Sequence, residues 1–167
     1  MNTDIEKLVS SVVSEVLSKR QKSVIKKKKI DYISLKDAKF LAEKVEEKAA
    51  ELGVKAVVAI ADEGGNLKLC ECMDDSYLAS RDIAINKSYT CVALKIPTSQ
   101  LADLARPDGP LYGIQHTNNG KIVIFGGGDP LMLNGKIVGA IGVSGGTAEL
   151  DTALSAYGKK IFEEYFE

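Results

Sequence analysis

The sequence predicts an α+β domain, an antiparallel sheet of about five strands with helices packed on it. Three observations predict it. Apolar runs are joined by tight-turn residues, Glu63-Gly64-Gly65-Asn66 and Asn134-Gly135, which makes neighbouring strands antiparallel hairpins. Long stretches with helical periodicity open and close the domain. The element order, α-β-β-α-(α)-β-β-β-α, lacks the strand-helix-strand alternation of a parallel nucleotide-binding sheet.

Each element has a local reason. SLKDAKFLAEKVEEKAAELG carries Leu35, Ala38, Leu41, Ala42, Val45, Ala49 and Leu52 at helical spacing. Ser34 and Asp37 suit a capping box at its start, and Gly53 ends it. VKAVVAIADEGG reads as a buried strand, and NLKLCECM alternates as its hairpin partner. SYLASRDIAINKSYTCVALK is helix-length, with Leu78, Ile83, Ala84, Ser88, Cys91 and Val92 as the expected inner face. Pro97 stops it, TSQLADLAR gives a short further helix, and RPDGPLYGIQHTNNG is a loop. KIVIFGG is expected as a strand, as is PLMLNGKIVGAIGVSGG folded on its Asn-Gly pair. TAELDTALSAYGKKIFEEYF closes the chain as an amphipathic helix.

The stretch GAIGVSGGTAELD, residues 139–151, looks like a phosphate cradle, yet the residues argue against nucleotide binding. No lysine stands where a phosphate loop needs one, and Glu149 and Asp151 already complement the helix dipole and would repel phosphate. The glycines suit a tight strand-to-helix turn, with Thr147 as helix cap and Asp151 reaching back to the Gly145 or Gly146 amide.

Composition bounds the rest. The 167 residues carry 22 Lys+Arg against 23 Asp+Glu, a net charge of -1 that gives no reason to expect nucleic acid. No apolar run reaches the ~20 residues of a membrane span, and no secretory signal opens the chain. Three cysteines do not suggest a disulfide framework, so a cytoplasmic protein is expected. Cys70 and Cys72 face the same way on their strand, but no second pair at zinc spacing follows, and structural thiols are the preferred reading.

Residues 19–29 hold seven lysines and arginines and no acid, and they separate two unlike parts. Before them, Ile5, Leu8, Val9, Val12, Val13, Val16 and Leu17 form an unbroken stripe on a helix of residues 1–20. A helix this short needs something to bury against: its own domain, a second copy, or a partner groove. With the basic linker of 21–33 it resembles the encapsulation peptides of enzymes packed into bacterial microcompartments.

Residues 34–167 are the domain. AVVAIADEGGNLK at 56–68, ASRDIAINKSYTC at 79–91, IPTSQL at 96–101 and IVIFGGGDPLMLNGKIVGAIGVSGGTAELD at 122–151 resemble the GlcG/HbpS family. That family includes the C-terminal domain of PduO proteins. The resemblance implies a profilin-like fold, a homo-oligomer, haem as a ligand of some members, and no established catalytic mechanism. The adenosyltransferase domain of PduO proteins would not fit in the 33 residues before Ser34, so that activity is not expected.

Candidate ligand-binding residues follow. His116, the single histidine, is the candidate haem-iron donor, with a plain surface-loop histidine as the alternative. Lys87 or Arg81, opposite the turn Gly127, Gly128 and Asp129, could receive an anion or form a structural ion pair. Nothing forms a nucleophile-base-orienter set. The expected function is a non-catalytic haem- or tetrapyrrole-binding accessory protein inside a microcompartment, contacting a shell protein or cargo through the N-terminal helix. The alternatives are an enzyme or helper acting on a small aldehyde, hydroxy-acid or corrinoid intermediate, and a structural oligomer linking cargo to shell.

Overall fold

The structure is a computed structural model describing residues 32–166. The expected N-terminal helix and most of the basic linker lie outside these residues. Ile33, one residue before the expected start of the domain, is already fully buried in the core.

Helix α1 (Leu35–Glu51) begins with the expected capping box: Ser34 Oγ accepts from the Asp37 N–H, and the Asp37 carboxylate accepts from the Ser34 N–H. Strands β1 (Val57–Asp62) and β2 (Leu67–Cys72) form the first hairpin. Its turn is held by Asp62 Oδ1, which accepts from the Gly64 and Asn66 amides at 3.0 and 2.9 Å. Helices α2 (Leu78–Leu94) and α3 (Thr98–Leu104) follow. Next comes a loop with two 3₁₀ turns, Ile114–His116 and Asn118–Gly120. Strands β3 (Gly128–Leu133) and β4 (Lys136–Ser144) fold on Asn134 and Gly135, both at positive φ, and α4 (Ala148–Phe166) ends the domain.

The sheet is antiparallel throughout, in the order β2-β1-β4-β3. The α+β class is the one expected, with one correction. The sheet has four strands, because residues 121–127, read as a strand, are not one. Their polar backbone groups turn to a side chain of α2. The Val123 N–H donates to Thr90 Oγ1 at 3.0 Å, and that hydroxyl, whose proton goes to the Asn86 carbonyl at 2.7 Å, also lies 3.2 Å from the Lys121 carbonyl. Gly127, at φ 114°, then swings the chain into β3.

Both faces of the sheet are covered. Val58, Ile60, Ile141 and Val143 pack with Leu41, Val45, Leu154 and Phe162 of α1 and α4 in the larger core. On the other face Val57 and Ala59 meet Ala84 of α2. That second layer is close-packed through small residues. A Cβ on Gly142 would lie 2.1 Å from the Ala84 carbonyl oxygen, and Ser144 Oγ bonds Ser80 Oγ at 3.1 Å.

This close approach also corrects the inner face expected for α2. Ala84, Ser88 and Cys91 are buried as expected, but Leu78 is 93% exposed, and Ser80, Lys87 and Thr90 are buried in addition. A surface made partly of glycine leaves no hollow for large apolar side chains.

Candidate functional site

Lys87 lies on the face of α2 turned toward the sheet, and its side chain is fully buried. Its Nζ donates to the Val143 carbonyl at 2.7 Å and to Asp151 Oδ2 at 2.8 Å. The Phe125 ring lies over it, 4.9 Å from ammonium to centroid. Burial pulls the lysine pKa below its ordinary value, opposed by the Asp151 carboxylate.

Asp151 is placed by the first turn of α4. Its Oδ1 accepts from the Gly146 N–H at 2.8 Å, and Thr147 Oγ1 accepts from the Leu150 N–H at 3.3 Å. The strand-turn-helix junction that looked like a phosphate cradle thus holds a carboxylate of its own, already neutralised by Lys87. The glycines make room for this arrangement: a Cβ on Gly127 would stand 2.6 Å from Lys87 Nζ and 2.7 Å from the Val143 oxygen.

Around the pair, buried polar groups are satisfied one by one. The Gly128 N–H donates to Thr98 Oγ1 at 2.8 Å. Ser155 Oγ donates to Asp129 Oδ2 at 2.7 Å, and burial raises the Asp129 pKa against that hydrogen bond. Cys91 is buried next to Gly128, and burial pushes its thiol well above the ordinary range. The amine is spent on two acceptors, and the thiol is not a ready nucleophile. The cluster therefore ties α2, β4, α4 and the glycine turn together.

Of the residues singled out in the sequence, Lys87, Gly127, Gly128 and Asp129 come together here. Arg81 does not: it is exposed beside Asp82, 3.3 Å away, near the start of α2. His116 is exposed on the first 3₁₀ turn. Its Nε2 lies 3.5 Å from Gln115 Nε2, and Gln115 Oε1 is buried with no hydrogen-bond partner among the described residues. The exposed imidazole is open to a group bound from outside. The 65% exposed ring of Tyr112, four residues earlier, offers apolar surface on the same loop.

The sequence reading missed Asp151 as the partner of Lys87, and also Phe125, Thr98 and Ser155. Asp151 had a visible signal as a first-turn acid, but nothing local pairs it with a lysine 64 residues away.

The family described as haem degrading protein HbpS-like matches residues 33–159. The chain belongs to the HbpS-like family.

A 15.0 kDa protein from the dhaT-dhaS intergenic region of Citrobacter freundii is 46% identical over 139 residues, 83% of this chain and 98% of that protein. The corrinoid adenosyltransferase PduO of Salmonella typhimurium is 38% identical over 123 residues, 74% of this chain but 37% of that protein. The HbpS-like domain thus matches little more than a third of that relative. The solved structure of a PduOC:heme complex matches with a TM-score of 0.74 at 35% identity, covering 77% of this chain and 94% of that one. Among the described residues, no helix is long and apolar enough to cross a membrane.

Proposed function

We propose that this HbpS-like protein is a non-catalytic binding protein for haem or a related tetrapyrrole, acting as an accessory of a bacterial microcompartment. The observation that carries this reading is the match to nearly the whole of a domain solved in complex with haem. His116 would hold the iron, since imidazole nitrogen is the usual axial donor and this is the chain's single histidine. When bound, the iron would supply redox or gas-ligand chemistry; the chain itself supplies the donor and the surface. The exposure of His116 leaves the far face of the ring to be covered by something else, and a second copy of the chain is the natural candidate, in a homo-oligomer.

Lys87, Gly127, Gly128 and Asp129 form the buried cluster beneath Phe125, which is itself 41% exposed.

Two things support the microcompartment setting: the relatives include PduO proteins, and residues 1–20 carry an apolar stripe of the encapsulation type.

Titration of the purified full chain with haemin tests the binding. A saturable Soret shift is expected, weakened or displaced in His116→Ala. An identical titration in the variant removes His116 from the site, and no saturable shift in the wild type rejects tetrapyrrole binding.

A further inference from the structure

Cys70 and Cys72 alternate with Glu71 on β2, an edge strand of the sheet, so both thiols leave the strand on the same side. That side faces α2. Cys70 packs against the small cluster of Val57, Ala59 and Ala84, and Cys72 stands opposite Val57 in the register. Cys72 is exposed and Cys70 half-buried, so neither is a core thiol and both are open to solvent-borne ions. Arg81 and Asp82 of α2 both act on the Cys70 thiol, in opposite directions.

The spacing decides what such a pair can do. Two residues along a strand place their Cα atoms about 6.6 Å apart. That is near the upper limit, roughly 6.8 Å, for an unstrained disulfide. A metal ion placed between the sulfurs spans a wider gap than a sulfur-sulfur bond does. Among the described residues there is no group of three or more His, Cys, Asp or Glu able to hold a metal ion. Zinc, which asks for four ligands in a structural site, is therefore not served here. A soft ion content with two thiolates is served.

We propose that Cys70 and Cys72 form a two-thiolate site for a soft monovalent cation of the Cu(I) class. Binding joins one Cu(I) to two sulfurs and releases both thiol protons. No electron changes hands, and the bis-thiolate carries one net negative charge beside Arg81. Because both thiol protons are released on binding, the affinity rises with pH.

The test uses the fully reduced full chain, without oxygen, titrated against the coloured Cu(I)-bicinchoninate complex. Stoichiometric withdrawal of copper by the wild type is expected, with all three thiols titratable again once the protein is unfolded and the copper removed. Cys70→Ser and Cys72→Ser should each abolish the withdrawal, while Cys91→Ser, at a buried thiol elsewhere in the fold, should keep it. Cys72 is exposed, so its serine variant folds and its result stands even where Cys70→Ser is unstable. Copper withdrawal that survives Cys72→Ser, or its absence in the reduced wild type, overturns the proposal. So does conversion of the pair to a disulfide as soon as copper is added.

Discussion

Replacing Asp151 by asparagine exchanges one oxygen for an amide nitrogen and leaves the shape of α4 intact. The Gly146 N–H keeps an acceptor, but the Lys87 ammonium loses the carboxylate it is bonded to while remaining buried. At 2.8 Å the attraction across an effective dielectric of about 20 is roughly 6 kcal/mol, offset by the desolvation of both charges. Breaking one side of such a pair costs about 3–5 kcal/mol, because the other charge stays behind uncompensated. Asp151→Asn and Lys87→Met should each lose that much in urea unfolding followed by far-UV circular dichroism at pH 7. The double variant, which buries no charge, should lose clearly less than the sum, with a coupling above about 1.5 kcal/mol. Single losses under about 1 kcal/mol, or strictly additive ones, would show that the pair does not hold α2 to the β4-α4 junction.

Gly142→Ala places a Cβ 2.1 Å from the Ala84 carbonyl oxygen, so it should lose about 3 kcal/mol or fail to fold. Gly135→Ala, at φ 74° but with open space around it, should lose nearer 1 kcal/mol in the same unfolding assay. Burial raises the folded-state pKa of Asp129, so the protonated form is favoured and stability is lost as pH rises from the unfolded value of about 4 through the folded one. Asp129→Asn, which stays neutral, should therefore gain on the wild type between pH 4 and pH 7 in unfolding curves taken across that range; a constant difference would contradict the sign. Residues 1–20 fused to a fluorescent protein should enter microcompartment shells, and Val12→Asp should leave the fusion diffuse, because a charge does not bury in a helix-groove contact.

What could be read in advance was local. Ser34 and Asp37 stand three residues apart, and the Asn134-Gly135 turn needs only its own two backbones, so both were legible as written. The inner face of α2 was legible only in part, at Ala84, Ser88 and Cys91. Its partner surface includes Gly142, so the helix is also buried through Ser80, Thr90 and Lys87, which an apolar period does not mark. The Lys87–Asp151 pair spans 64 residues and depends on Gly127 having no side chain, a condition visible only once the chain is folded. Residues 121–127 have strand composition, but the Val123 N–H is taken by the Thr90 hydroxyl of α2 rather than by a neighbouring strand.

The central claim, that this HbpS-like chain binds haem through its single histidine, is tested most directly by low-temperature electron paramagnetic resonance of the ferric complex. The wild type should give one homogeneous spectrum of a nitrogen-ligated ferric haem, and His116→Ala should lose it at equal haem loading. The same spectrum in both proteins would contradict the account.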